Sequence, residues 1–171
     1  MRARKWIAGL FAVGGAAVLL ATGLAAPANA GTSQVDVVNV HIRNQLSRKC
    51  VAIGGGSLGV VQAIQFTCGS GTEQQWNEEF VGFDIYDNPM YRFHRIDDNR
   101  LCLQADTGNG AKVVQRLCSS SSNQLWSNNN AGRLRNVGNT FCLAVPNGSQ
   151  ANVGLITWTC NTGGEQKWDI Y

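Results

Sequence analysis

The chain has 171 residues, of which 14 are Lys or Arg, 11 are Asp or Glu, and 15% in all are charged. Three of the basic residues and none of the acidic ones fall in the first thirty positions, so residues 31–171 are formally neutral. That balance argues against nucleic acid or an anionic membrane as partner, and the length fits one domain that buries roughly two-thirds of its unfolded surface.

Arg2, Arg4 and Lys5 precede an apolar stretch from Trp6 to Ala26 and a small-residue triplet, Ala28-Asn29-Ala30. This is the three-part pattern of a secretory signal peptide over residues 1–30, with cleavage expected after Ala30. A transmembrane anchor is the rival reading, and Gly14, Gly15, Thr22, Gly23 and Pro27 weaken it. The mature chain is expected outside the cytoplasm, secreted, with no membrane insertion. All six cysteines lie beyond this segment, so disulfides are expected. No metal or cofactor is expected: the cysteines come singly, and His41 and His94 are far apart in sequence.

From Cys50 onward one unit recurs. Two cysteines precede each of three Gln-x-Trp triplets: Cys50 and Cys68 before Gln74-Gln75-Trp76, Cys102 and Cys118 before Gln124-Leu125-Trp126, Cys142 and Cys160 before Gln166-Lys167-Trp168. The second cysteine always lies eight residues before the tryptophan. A shared phase of this kind marks an internal repeat, with copies at about 36–82, 83–131 and 132–171. Within each copy the first cysteine opens a short apolar strand signal, a turn follows (Gly54 to Gly59, Gly108-Asn109-Gly110, Asn147-Gly148), and a second strand signal leads to the second cysteine. Phe83-Asp84-Ile85-Tyr86 and Met90-Tyr91-Arg92-Phe93 flank Asp87-Asn88-Pro89, which reads as a longer hairpin inserted between the first and second copies.

These signals predict an all-β domain. A propeller of this period needs about four blades, so three copies favour a closed arrangement with pseudo-threefold symmetry. Six cysteines allow 15 pairings, and spacing alone does not choose among them. If each copy folds alike, pairing within copies satisfies all six: Cys50 with Cys68, Cys102 with Cys118, Cys142 with Cys160. Each such bridge is worth roughly 3 kcal/mol in the chain-entropy model.

The triple Cys…Cys…Gln-x-Trp pattern resembles the ricin B-type lectin domain, over about Val37 to Tyr171. The resemblance implies a β-trefoil, a six-stranded barrel capped by three hairpins, with Trp76, Trp126 and Trp168 in the core. It also implies sugar binding through an aspartate two residues after the first cysteine, an aromatic ring two before the second, and a polar residue just before the Gln-x-Trp triplet. Here the aspartate position holds Ala52, Gln104 and Ala144, the ring position Phe66, Arg116 and Trp158, and the polar position Glu73, Asn123 and Glu165. The best-equipped copy is the third, with Trp158, Glu165, Gln166 and Asn147. Phe66 with Glu73 and Gln74 makes a poorer site, and the second copy offers the amides Gln104, Asn123 and Gln124. The chemistry suits a glycan or polysaccharide: a flat ring lies against the C–H face of a pyranose, while carboxylates and amides take its hydroxyls.

No enzyme is expected. Glu78-Glu79 and Asp97-Asp98 are sequence neighbours, which on a strand face opposite ways, and glycoside hydrolysis needs two carboxyls about one bond. Ser119 to Ser122 with His94 and Asp97 lack a nucleophile elbow, and Gly54-Gly55-Gly56 lacks the Lys of a phosphate loop. The expected function is a monomeric lectin-like module. The alternatives are a trefoil with decayed sugar sites and one that binds a separate protein partner, such as a hydrolase, through the Asn77 to Arg95 insert.

Overall fold

The computed structural model describes residues 36–171; the leader read over residues 1–30 and its cleavage point lie outside them. Thirteen strands, all paired antiparallel, form one curled sheet, and no α-helix occurs among the described residues. In the first copy these are β1 (Val37–Val40), β2 (Ile42–Asn44), β3 (Lys49–Ile53), β4 (Val61–Thr67) and β5 (Trp76–Phe83). The second contains β6 (Pro89–Arg95), β7 (Leu101–Ala105), β8 (Val113–Leu117) and β9 (Trp126–Asn128). The third contains β10 (Leu134–Asn136), β11 (Cys142–Ala144), β12 (Ile156–Trp158) and β13 (Trp168–Ile170).

Copies join where the last strand of one pairs with the first of the next: β5 with β6, β9 with β10, β13 with β2. Inside copies, β1 pairs with β5 and β6 with β9, and the Trp168 N–H donates to the Gly132 carbonyl at 2.8 Å in the third. With β1 and β2 read as one strand broken at His41, these pairings close a six-stranded barrel. The hairpins β3–β4, β7–β8 and β11–β12 cap it, making a β-trefoil.

The core repeats with the same symmetry. Ile42, Phe93 and Leu134 occupy one equivalent position, Val51, Leu103 and Leu143 a second, and Ala63, Val113 and Leu155 a third, all fully buried. The three triplet tryptophans are buried, and each indole Nε1 donates to the carbonyl of one of those aliphatic residues: Trp76 to Val51 at 3.4 Å, Trp126 to Leu103 at 3.0 Å, Trp168 to Leu143 at 3.0 Å. Each ring therefore buries a large apolar surface without stranding its polar atom. Disulfides join Cys50 to Cys68, Cys102 to Cys118 and Cys142 to Cys160.

Buried polar side chains tie the copies to one another. Asn44 donates to the carbonyls of Gly164, Glu165 and Lys167, and Asn136 at the equivalent place donates to those of Asn123 and Leu125. In the second copy this position holds Arg95, fully buried, which reaches the Ser57 carbonyl, Gln115 and Asp97. Gln65 holds the loop of the third copy through the Ser149 and Ala151 carbonyls, and Gln115 holds that of the first through Ser57 and Gly59. Thr157 Oγ1 lies 3.4 Å from the Gly108 carbonyl, in the loop of the second.

The insert forms the long β5–β6 hairpin. Its turn is organised by Asp84, whose carboxylate accepts from the N–H groups of Tyr86 and Asn88 and from the Ser127 hydroxyl.

Candidate functional site

The ring position of each copy lies on the outer strand of a cap hairpin, opposite the first cysteine: Phe66 faces Cys50, Arg116 faces Cys102, Trp158 faces Cys142. Directly opposed residues share a sheet face, so each ring stands beside its disulfide. Phe66 and Trp158 are 43% and 46% exposed as residues, enough to leave part of each side chain open to a ligand.

Around Trp158 the chain forms a cleft of about 550 Å³, lined among others by Ala144, Asn147, Asn161, Glu165 and Gln166. All four residues expected in the third copy thus come together. Asn147 sits at φ 52 inside the Pro146–Gly148 turn, a left-handed conformation that Asn tolerates better than most residues. The Glu165 carboxylate accepts from Asn161 Nδ2 at 3.0 Å. A Cβ on Gly163 would collide with that carboxylate, so the glycine makes room for it; Gly71 does the same for Glu73.

The triplet glutamines are buried and partly engaged. Gln166 Oε1 accepts from the Asn161 N–H and its Nε2 donates to the Thr159 carbonyl; Gln74 does likewise with Gly69 and Thr67, and Gln124 with Ser119 and Leu117. Each thus closes the loop between the second cysteine and its triplet. In the first and third copies, where Ala52 and Ala144 take the place of Gln104, one amide N–H remains beyond these bonds. In the second, that N–H donates to Gln104 Oε1 at 2.9 Å, closing the expected amide set on itself. Arg116 there reaches Asp106 of the neighbouring loop at 3.4 Å, so an ion pair stands where the other copies have a ring. Asn123 is half-buried beside Gly138. In the first copy the counterpart of Asn147 is Gly55, which has no side chain to offer.

Asn161, Pro146 and Ile156 also line the third cleft and were absent from the sequence reading. The signal for Asn161 was its place just after the second cysteine. Elsewhere, His94 lies near the sulfurs of Cys102 and Cys118, but those are joined in a disulfide. Its ring nitrogens contact the Asn99 carbonyl and Glu79, while Asp97 contacts Arg95 and Thr72.

The barrel, the cap and the ring-bearing cleft define a β-trefoil with a solvent-facing cleft in its third copy. The family model of the ricin-type beta-trefoil lectin domain matches residues 38–168, and the chain belongs to that family. No curated protein sequence matches it. Among solved structures it is similar to ThreeFoil, a designed 3-fold symmetric protein, at 23% identity and a TM-score of 0.67, covering 77% of this chain and 96% of that one. It is similar to the C-half of the earthworm R-type lectin in complex with GalNAc, at 14% identity and a TM-score of 0.58, covering 78% and 98%. It is also similar to an exo-beta-1,3-galactanase from Clostridium thermocellum, at 21% identity and a TM-score of 0.68, covering 79% of this chain and 30% of that one. At these identities the likeness concerns the fold.

Proposed function

We propose that the chain is a secreted, monomeric, non-catalytic module that binds glycans through the third-copy cleft. The observation that carries this reading is the half-exposed Trp158 ring standing with Glu165, Asn147 and Asn161 around one cleft. A pyranose laid on the indole presents its C–H face to the ring and its hydroxyls to the carboxylate and amides, and such ring-plus-few-polar-group sites are typical of small ligands. Family membership supports the class of ligand, and the GalNAc held by the earthworm lectin points to galactose-like sugars. Phe66 with Glu73 and Gln74 forms a second, weaker site, whereas the ion pair of the second copy leaves Gln104, Asn123 and Gln124 without a ring. A single shallow site near 1 mM is worth about 4 kcal/mol, so two sites on one polymer gain chiefly by avidity.

The test is a glycan array followed by titration with the best binder. Trp158→Ala is expected to abolish most binding, Phe66→Ala to reduce avidity for polymers only, and no sugar to be released from a bound polysaccharide. Binding unchanged by Trp158→Ala overturns the assignment. Export is checked by sequencing the N-terminus of protein recovered from the medium, expected at Gly31.

The hydrolase-binding alternative has one observation in its favour. The tip of the insert hairpin exposes Phe83, Ile85 and Tyr86. Loss of inhibition of a target hydrolase on replacing all three by Ser is the result that reading requires.

A further inference from the structure

A second cleft of about 390 Å³ lies beside the disulfide of the third copy, lined by Arg133, Arg135, Thr140, Phe141, Cys142 and Thr159 among others. Arg133 and Arg135 are two residues apart on and just before β10, so their side chains share one face. Arg135 stands in register with Cys142, and Cys142 with Trp158, which sets Arg135, the disulfide and the indole in a row across three strands. At the usual strand spacing the row spans roughly 10 Å, the reach of a short oligosaccharide.

The two guanidinium groups differ from most of the others in residues 36–171. Arg43, Arg92, Arg95, Arg100 and Arg116 each contact a carboxylate, and Arg48, which does not, is exposed. Arg133 and Arg135 are held by neutral carbonyls instead: Arg133 Nη1 donates to Asn161 at 2.9 Å and Arg135 Nε to Thr140 at 3.1 Å. Among the described residues Arg133 Nε is buried with no partner, as are the Nε atoms of Arg43, Arg92 and Arg95, but here no carboxylate lines the cleft. A guanidinium carries five N–H donors in a planar fork suited to carboxylate or sulfate oxygens, and here most of them are uncommitted on groups already fixed in place. Asn161 connects the two clefts, with its carbonyl on Arg133 and its amide on Glu165. Glu165 repels an anion from the Trp158 cleft, whereas the arginines attract one.

We infer that the arginine cleft is an anion subsite on the same glycan-binding surface. It takes the carboxylate or sulfate of an acidic sugar linked to the residue stacked on Trp158. This rests on the reading of the Trp158 cleft given above and assigns that surface to acidic glycans, despite the neutral charge balance of residues 31–171.

Calorimetric titration with three oligosaccharides of one length tests it: a neutral oligogalactan, an oligogalacturonate and a sulfated oligogalactan. An anionic probe is expected to bind about tenfold tighter than the neutral one at low salt, with the advantage shrinking as salt rises. Preference for either anionic probe supports the subsite and identifies the anion. Replacing both residues, Arg133→Gln with Arg135→Gln, is expected to erase the advantage while neutral binding stays within about twofold; Lys at both positions is expected to keep part of it. Equal binding of neutral and anionic probes by the unmodified protein, or an advantage that survives the Gln substitutions, overturns the inference and leaves the Trp158 cleft standing. Anionic binding that needs both arginines but survives Trp158→Ala sustains the anion site and overturns the stacking role of the ring. Failure to bind any of the three overturns both.

Discussion

Gly110 of the second copy lies against the edge of Trp158 in the third: a Cβ at position 110 would stand 3.1 Å from the ring's Cζ3. The Gly110 N–H donates to the Thr157 carbonyl at 2.7 Å, and its φ of 78° is one that residues with a Cβ rarely adopt. The stacking ring is thus positioned by a neighbouring copy. Gly110→Ala is expected to cost on the order of 1 kcal/mol in backbone strain and to displace the indole, weakening glycan binding several-fold. Combined with Trp158→Ala it should weaken binding no further than that change alone, a non-additivity that a double-mutant cycle measures. Additive losses would show that Gly110 acts elsewhere.

Gly163→Ala addresses the carboxylate in the same cleft. The colliding atoms belong to the mobile end of Glu165, so the side chain swings away at little cost to the fold. Thermal unfolding is expected to change by less than the equivalent of about 0.5 kcal/mol, while affinity drops as the Asn161–Glu165 contact is lost. The matching change Gly71→Ala displaces Glu73 in the first copy and should leave Trp158-dependent binding intact. Equal effects from both substitutions would refute the assignment of Glu165 to the site.

What was legible from the residues follows the repeat. The cysteine-to-tryptophan phase specifies three like units, hence a closed pseudo-threefold arrangement and the pairing within copies, while the barrel, the buried indoles and the ring position that singles out Trp158 come from the family resemblance carried by that phase. The cross-copy ties were not legible. Gln65, Gln115 and Thr157 each lie three residues before a second cysteine and look like solvent-facing strand positions, yet all are fully buried. Each has a partner in its own copy and others in a different copy, and no local pattern reports the latter. Asn44 and Asn136 share an offset from their cysteines, but Arg95 breaks it by one residue and by chemistry. The triplet glutamines show the converse: an amide reads as a ligand donor until the fold supplies the loop groups that occupy it. Arg133 and Arg135 read as ordinary solvated charges, since the missing carboxylate is visible only in three dimensions.

Asn136→Ala tests the ties directly. The side chain is fully buried, donates to two carbonyls, and its Oδ1 accepts from the N–H groups of Gly138 and Asn139 in a partly buried turn. Removing it strands the Asn123 carbonyl and the Asn139 N–H, whereas the Leu125 carbonyl and the Gly138 N–H keep backbone partners in Val137 and Ser122, so a loss on the order of 2 kcal/mol in urea unfolding is expected, with the disulfides intact. A loss below about 1 kcal/mol would mean that water satisfies those groups.

Glu78 makes stability depend on pH. It is buried on β5, opposite Val37 and Phe93, and no hydrogen bond reaches its carboxylate among the described residues. Burial raises its pKa from 4.5 to about 7, and burial followed by the charge of Glu78 raises that of Tyr91. Below about pH 4.5 the group is protonated in both folded and unfolded chains and carries no penalty. Between 4.5 and about 7 the unfolded chain releases the proton while the folded one retains it, so stability falls as pH rises; above about 7 the loss is complete. Glu78→Gln removes the titration. Relative to the unmodified protein, the variant is expected to gain stability from pH 4 to pH 8, by on the order of 1–2 kcal/mol after discounting the shift for partial access of water. Urea midpoints at both values measure the gain, and a difference between the two proteins that does not change with pH would show that the carboxylate is solvated in the fold.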